Sequence, residues 1–511
     1  MTTWTEGYVA DITYTHGYYG ELHPARARAV LLEAGIAVPA FGTACELGFG
    51  QGLSVNLHSA GSATAWHGTD FNPAQAAHAQ GLARVAGAGA TLFDDAFADF
   101  AVRPDLPDFD FIGIHGIWSW ISDENRAVIV DFVRRKLKTG GVLYISYNTL
   151  PGWAPFMPMR HLMTQHAATQ CVPGDGIVPR IDASIAFVER LLETNPVYGR
   201  ANPGVAERLK KLKDQNRHYL AHEYFNRDWL PMHFSTMTEW LEPAKVQFAC
   251  SAHPLDHVPA LHFTPDQQKL MAEIKDTTYR EQVRDFVVNQ QFRRDYWVKG
   301  VRRLSPLERI DLLRKERVML VTHRPDVKLK ATGTLGEASL NVDIYDPLLD
   351  ALADHQMRSV AELETAMAGR NLSVPQVLQA IFVLMGMGNL APVQDDRAIE
   401  AAKGNAQRLN AHLCRQSRYG NEMEFMASPV TGGGLPVGRF QQLFLLAMAE
   451  GRSQPAEWAA FAWSVLQAQG LRLIKEGKPL ETQEQNLAEF TEQAETFAKK
   501  QLPVLKAAQV V

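Results

Sequence analysis

The chain has 511 residues, enough for two to four domains of about 100–200 residues each. Its composition, 46% apolar and 21% charged, excludes a disordered or fibrous chain. With 51 Lys+Arg against 56 Asp+Glu, the net charge of −5 argues against a nucleic-acid binder. No run reaches the roughly 18 apolar residues of a membrane span. The start, MTTWTEGYVADITYTHG, lacks the basic-then-apolar pattern of a secretory signal. Cys45, Cys171, Cys250 and Cys414 stand too far apart for a CxxC metal knuckle or redox pair. The expectation is a cytoplasmic protein with free thiols and no metal site.

Strand and helix signals alternate over the first 150 residues. Strands are predicted at Thr43–Leu47, Ala65–Thr69, Ala90–Phe93, Phe109–Ile114 and Val142–Ser146, with helices between them such as Glu124–Leu137. Strands separated by helices imply a parallel sheet covered on both faces. Ligands then bind beyond the carboxyl ends of the strands, here Gly48, Asp70, Asp95, His115 and Asn148. From about 154 to 230 the pattern is helical, broken at Pro173-Gly174 and Asn202-Pro203-Gly204. A helix at Thr236–Ala244 and an apolar strand at Val246–Cys250 read as the chain's return to the sheet edge. That makes 165–230 a helical insertion within a first domain of residues 1–257.

Residues 258–345 form a middle region of unusual charge. Between 280 and 330 there are 14 Lys+Arg and 7 Asp+Glu, either solvated helix faces or a docking surface for an acidic protein. Residues 346–395 read helix–helix–helix–extended, like a winged helix. Ser373-Val374-Pro375 is a fitting start to the third helix. No Lys or Arg lies between Arg370 and Arg397, so a DNA-reading role is not expected. The remainder to 511 is helical. The expected architecture is α/β, a doubly wound Rossmann-like sheet with a helical insertion, followed by mostly α-helical middle and C-terminal domains.

The strongest motif is Glu46-Leu47-Gly48-Phe49-Gly50-Gln51-Gly52. Glycines after a first strand let a ligand approach the backbone at a helix start. An acidic residue ending the next strand can hold ribose hydroxyls, and Asp70 follows Gly52 by 18 residues. These features alone suit a nicotinamide dinucleotide or S-adenosylmethionine. The spacing separates them: the dinucleotide fingerprint is G-x-G-x-x-G, whereas these glycines stand at 48, 50 and 52 and Leu53 occupies the next position. Glu46 would also sit badly near a pyrophosphate, whereas an ammonium and a sulfonium tolerate carboxylates.

On these residues the sequence resembles the class I S-adenosylmethionine-dependent methyltransferases. The resemblance makes Asp70 the ribose-binding acid and Asp95-Ala96 the adenine-contacting pair. It places Tyr18, Glu46, Gly48, Gly50, Gly52, Asp70, Phe71, Asp95, Ala96, His115 and Gly116 around S-adenosyl-L-methionine, or its product S-adenosyl-L-homocysteine. Four further stretches, Tyr14–Leu22, His115–Trp120, Ser146–Trp153 and Tyr219–Asn226, are similar to bacterial methyltransferases that carry a methyltransferase regulatory domain. Some of these methylate lysines of outer-membrane proteins. The resemblance implies middle and C-terminal domains and a homodimer, and leaves the substrate open.

Trp118, Trp120, Tyr147 and Trp153 cluster at the strand tips, with Tyr18 and Tyr19 closing from the N-terminus. Aromatic faces attract cations by about 0.5–2 kcal/mol, which suits a sulfonium and a substrate ammonium. The competing reading is a packing seam between core and insertion. Holding a lysine neutral at pH 7 costs about 4.6 kcal/mol from its ordinary pKa near 10.4, and an apolar channel offsets part of that by desolvation. Candidates to act on the amine are His115, Trp118, Tyr147 and Asn148, with the Gly116 carbonyl. His115 is a proton acceptor on one reading and a cofactor-lining residue on another. Glu223 and His222 are further candidates, or else helix-surface or interdomain groups. Asp123 and Glu124 begin a helix, where negative charge is favoured. The expected activity is methyl transfer to protein lysine. The alternatives are a small-molecule methyltransferase and a cofactor-binding scaffold without turnover.

Overall fold

In the computed structural model the described residues are all but 1–3, 6, 10, 11, 13, 88, 173 and 371; Pro173 of the expected Pro173-Gly174 break therefore lies outside them. The five expected strands form as Thr43–Leu47 (β1), Ala65–Thr69 (β2), Thr91–Phe93 (β3), Phe109–Ile114 (β4) and Leu137–Asn148 (β5), all parallel. Val246–Ser251 (β6) and Phe292–Lys299 (β7) complete a sheet that, among the described residues, has seven strands in the order β3-β2-β1-β4-β5-β7-β6. β7 runs antiparallel to both neighbours.

Alternation along the central strands explains why both faces are covered. Phe111, Val142 and Tyr144 face one apolar core with Trp66 and Tyr296. Ile112, Leu143 and Ile145 face another with Phe132 and Phe234. The flanking helices carry their own start signals. Asn72 accepts from Ala74 N (3.0 Å) at the start of Pro73–Ala86, which ends at the left-handed Gly87. Ser122 caps Asp123–Lys136, whose acidic first turn and basic last turn oppose the helix dipole as expected.

Two expected boundaries need correction. The sheet is not complete at residue 257, because β7 slots between β5 and β6. Its sequence, Phe292-Arg293-Arg294-Asp295-Tyr296-Trp297-Val298-Lys299, hides an interior strand behind charge. The charge is neutralised internally. Arg293 is 3% exposed and reaches Asp295 (2.8 Å), Asp285 (2.7 Å) and Glu281 (2.9 Å). The Tyr147 hydroxyl donates to Asp295 at 3.0 Å. The boundary at 345 also cuts a unit. Arg317–Leu320 is the central strand of a three-stranded antiparallel sheet with Arg358–Ser359 and Leu390–Val393. The winged-helix-like succession is present, but one of its strands comes from the preceding region.

The basic stretch is mostly paired within the chain rather than left as a docking surface. Arg294 meets Glu21, Arg309 meets Glu33, Arg314 meets Glu364, and Arg324 meets Asp346 and Asp350.

The insertion is a helical lobe, Met157–Thr169, Ile177–Glu193, Gly204–Lys213 and Arg217–Tyr224, with a core of its own that includes Trp153 and Phe156. The C-terminal region packs on the back of the sheet domain. Its helix Asp396–Gln416 shares a core with Leu53, Leu57, Leu82 and Ala86. Arg408 Nε donates to the Ala86 carbonyl at 2.9 Å, and Gln394 Nε2 to that of Gly61 at 2.8 Å. No helix among the described residues is long and apolar enough to cross a membrane.

Arg293→Met leaves Asp285 and Asp295 buried without their cation. The expected loss is about 3–5 kcal/mol in urea unfolding; a loss below about 1 kcal/mol would show that the cluster does not hold β7 in place.

Candidate active site

The loop after β1 is shaped by three left-handed glycines, Gly48, Gly50 and Gly52, with φ of 73°, 58° and 73°. A Cβ at Gly48 would run into Ile117, and one at Gly52 into Ala79 of the next helix. The loop is fastened to the end of β2. Gly48 N donates to the Thr69 carbonyl at 2.8 Å. Asp70 accepts from Gly50 N through Oδ2 (2.8 Å) and from Asn72 N through Oδ1 (3.0 Å). Each carboxylate oxygen keeps a lone pair for a hydroxyl.

Beyond these strand ends lies a cavity of about 580 Å³, within the range of small-molecule sites. Gly48, Gly50, Gly52, Asp70, Phe71, His115, Gly116 and Asn148 line it, which brings together eight of the expected residues. The opposite wall comes from elsewhere: Tyr8, Tyr14 and Tyr19 from an N-terminal strap, Trp120 and Trp153, Arg208, Tyr219, His222 and Glu223 from the insertion, and Gln291 and Phe292 from the approach to β7. Asp95 and Ala96 line a smaller hollow of about 70 Å³ that shares Tyr8, Phe71, Phe97 and Trp120 with the main cavity.

Four expected residues do not reach the wall. Tyr18 turns the other way, its ring 5.1 Å from His58 and 4.9 Å from Phe425, in the seam with the C-terminal region. In extended backbone neighbours point to opposite sides, so Tyr19 faces the cavity and stacks on His115 at 3.7 Å. Tyr147 likewise alternates with Asn148 and spends its hydroxyl on Asp295. Trp118 is fully buried, its indole N–H toward Met232 Sδ at 3.4 Å; the short turn Trp118–Trp120 sends Trp118 into the core and Trp120 to the cavity. Glu46 is buried behind the loop. Tyr18, Trp118 and Tyr147 thus obey the packing reading, while Trp120, Trp153 and Tyr19 obey the cavity reading.

Sequence reasoning missed Tyr8, Arg208, Gln291 and Phe292. The last two carried no signal once β7 had gone unrecognised. Tyr14 lay in a quoted stretch without a role.

The site's titratable groups are displaced mainly by burial. Burial lifts Asp70 to about 7, against the pull of the Asn72 and Gly50 N–H groups. It lifts Glu46 to about 8, helped by the nearby Asp70. Glu223 rises to about 7 through burial, with the Tyr14 hydroxyl acting to lower it. His115 falls to about 4 for the same reason, so its imidazole is neutral at pH 7 and a weak proton acceptor. Its Nδ1 pairs with the Tyr144 hydroxyl at 2.8 Å. Burial raises Tyr19 to about 12, so its hydroxyl stays protonated.

The donor set suits an adenosyl sulfonium nucleoside: a carboxylate for ribose hydroxyls, a glycine cradle that side chains would fill, and aromatic faces around Phe71. A folded-state pKa near 8 for Glu46 means that the folded protein keeps a proton that the unfolded chain has lost. Wild-type stability therefore falls as pH rises from near 4.5 to about 8. Glu46→Gln has no such loss, so its advantage in melting temperature over the wild type, followed by calorimetry of the ligand-free protein, grows across that window. A pH-independent difference would refute the assignment.

Comparison with known proteins bears on the fold and the family. The family described as a predicted methyltransferase regulatory domain matches residues 216–299, from the last insertion helix through β7. The chain is 39% identical over 508 residues to the uncharacterized protein sll1526 of Synechocystis, covering 98% of this chain and 99% of that one. A shorter match, 28% over 189 residues, links it to the uncharacterized protein RP789 of Rickettsia prowazekii, with 36% of this chain and 33% of that one covered. Among solved structures, PKMT2 from Rickettsia typhi in complex with AdoHcy shares the fold with a TM-score of 0.69, at 15% identity, over 96% of this chain and 98% of that one. At 39% identity over nearly the whole of both chains, the chain belongs to one family with sll1526, carries at residues 216–299 the region described as a predicted methyltransferase regulatory domain, and shares the fold of PKMT2.

Proposed function

We propose that the protein transfers methyl groups from S-adenosylmethionine to lysine side chains of a protein acceptor. The observation that carries this is the continuity of one cavity, from the Asp70 carboxylate and glycine loop to a chamber walled by Tyr14, Tyr19, Trp120, Trp153, Tyr219 and Phe292. When bound, S-adenosylmethionine supplies an electrophilic methyl group on a positively charged sulfur. Asp70 would hold its ribose, the Gly48–Gly52 loop its backbone-facing side, and Phe71 with Asp95 and Ala96 its base. That PKMT2 of Rickettsia typhi is solved with AdoHcy supports a nucleoside in a fold of this kind.

The chain's remaining task is to position and desolvate the acceptor. No oxyanion develops in methyl transfer, so orientation supplies much of the acceleration. A ring-lined chamber lowers the pKa of an entering amine by excluding water, and Asn148 can accept a hydrogen bond from it. Two residues of the wall, Tyr219 and Phe292, are 36% and 38% exposed, which supports an opening on their side of the cavity. A lysine's flexible four-carbon stem can pass such an opening while the protein that bears it stays outside. This favours a protein acceptor over a small molecule enclosed entire.

Two measurements test the reading. Calorimetry should show binding of S-adenosylhomocysteine and none of NAD; tight NAD binding would overturn the assignment of the loop. Incubation of candidate proteins with S-adenosylmethionine should add mass in steps of about 14 Da, one per methyl. Asp70→Ala should lose that transfer while keeping its circular dichroism spectrum. Label that enters only the small-molecule fraction would instead favour a metabolite acceptor.

A further inference from the structure

Glu223 stands apart from the other acids of the cavity. It lies on the helix Arg217–Tyr224, which together with the residues just after it is tied to the N-terminal strap by three hydrogen bonds. His222 Nε2 meets the Ile12 carbonyl at 3.2 Å, Val9 N donates to Asn226 Oδ1 at 2.9 Å, and Arg227 N donates to the Gly7 carbonyl at 3.0 Å. The strap thereby brings tyrosines to Glu223. The Tyr14 hydroxyl is hydrogen-bonded to its carboxylate and also to Tyr19. Tyr8, Tyr19 and the neighbouring Tyr219 are close enough to feel its charge.

No ion pair to Glu223 is found among the described residues. Arg208, the arginine that lines the same cavity, stacks on Trp153 at 3.7 Å and is bonded to Tyr224. A partly buried carboxylate without a cation, inside a wall of aromatic rings, is the complement of an alkylammonium ion. The rings attract its charge over their faces, and the carboxylate accepts a charge-assisted hydrogen bond.

The other polar groups of the cavity are less suited to the proton. Asp70 is engaged by two backbone N–H groups at the loop. His115 is stacked beneath Tyr19 and bonded to Tyr144. Asn148 has no titratable proton. Glu46 does not reach the wall.

We propose that Glu223 is the catalytic residue that anchors the acceptor's ammonium group in the tyrosine-walled part of the cavity and takes its proton. The inference rests on the methyl-transfer reading above and goes beyond it by naming the group that makes the amine reactive. In the step, an N–H bond of the ammonium breaks, the proton joins a Glu223 carboxylate oxygen, and the bonding pair stays on nitrogen. That lone pair is what a methyl acceptor needs. The placement of Glu223 near 7 suits an acceptor that must be ionised before the step and protonated after it. Burial and the Tyr14 hydroxyl set its titration; the other titratable or charged groups that line the same cavity are Tyr8 and Tyr19 of the strap, Tyr219 and His222 of its own helix, Arg208 of the adjoining helix, and Asp70 and His115 at the strand ends.

The test uses the full-length protein loaded with S-adenosylhomocysteine and titrated with n-butylamine by calorimetry, with circular dichroism as a check on folding. The wild type should bind the amine, more tightly at pH 8 than at pH 6, because the carboxylate ionises between them while the amine remains protonated. Glu223→Gln should weaken amine binding by about tenfold or more and lose the pH dependence. S-adenosylhomocysteine affinity should stay within about threefold of the wild type, the ordinary scatter of such contacts. Glu223→Asp should restore part of the affinity. Tyr14→Phe, which removes the hydrogen bond that lowers Glu223, should move the midpoint of the pH dependence upward. Unchanged amine binding in Glu223→Gln would overturn the proposal. So would a parallel loss of S-adenosylhomocysteine affinity, which would assign Glu223 to the nucleoside's own ammonium. A wild type that takes S-adenosylhomocysteine but no amine would also overturn it, while leaving the methyl-donor site intact. Failure to bind S-adenosylhomocysteine at all would instead overturn the underlying reading.

Discussion

One buried guanidinium holds the sheet domain in register. Arg293 collects Asp295, Asp285 and Glu281 around itself and lies over the Phe234 ring at 4.3 Å. A charged segment can thereby occupy an interior position of the sheet, a placement that bare desolvation would forbid. The consequences reach the cavity directly. β7 pairs with β5 as far as Asn148 and Phe292. Just beyond, Thr149 N donates to the Gln291 carbonyl and Gly152 N to the Gln290 carbonyl, both at 3.0 Å. The root of the helical insertion is therefore moored to β7, and two wall residues of the site, Gln291 and Phe292, are delivered by the same pairing.

The site itself is assembled from four distant parts of the chain: the strand ends, the N-terminal strap, the insertion and the approach to β7. The strand ends give a rigid, backbone-defined floor, where the turn conformation is fixed by glycine and the acid at position 70 is fixed by peptide N–H groups. The strap and the insertion give a wall of side chains held to each other by hydrogen bonds. Burial dominates the shifts of Glu46, Asp70, Glu223 and His115, raising the three acids and lowering the imidazole. Such displacements are a mark of functional sites, and they exist because the wall excludes water from groups that the floor alone would leave exposed.

The floor was legible in the sequence and the wall was not. Gly48, Gly50, Gly52 and Asp70 announce themselves by spacing, because a tight turn and a carboxylate at a strand end are local demands. Phe71, His115, Gly116 and Asn148 follow once the strands are in order. The wall depends on which side a given ring faces, and that is decided by packing partners far away in sequence. Tyr18 and Tyr19 are equivalent as letters, yet Phe425 claims one and His115 the other. Trp118 and Trp120 divide in the same way between the core and the cavity. β7 escaped notice because its signature of alternating apolar residues is broken by Arg293, Arg294 and Asp295, whose partners beyond the strand itself, Asp285, Glu281, Glu21 and Tyr147, lie far from it in sequence or on other elements. Both domain boundaries failed for a related reason: a strand may be contributed to a sheet from beyond the stretch that looks like its domain.

The split between those two adjacent tyrosines ties the far end of the molecule to the cavity. Tyr18 rests on Phe425, and its hydroxyl meets the backbone of Gly434. The next residue is pinned by Ser54 Oγ and His58 at 3.2 Å each and covers the imidazole. The C-terminal region is thus a buttress of the cavity wall. A chain shortened ahead of residue 425 would lose the seat of the first ring, and with it the hold on the angle of the second.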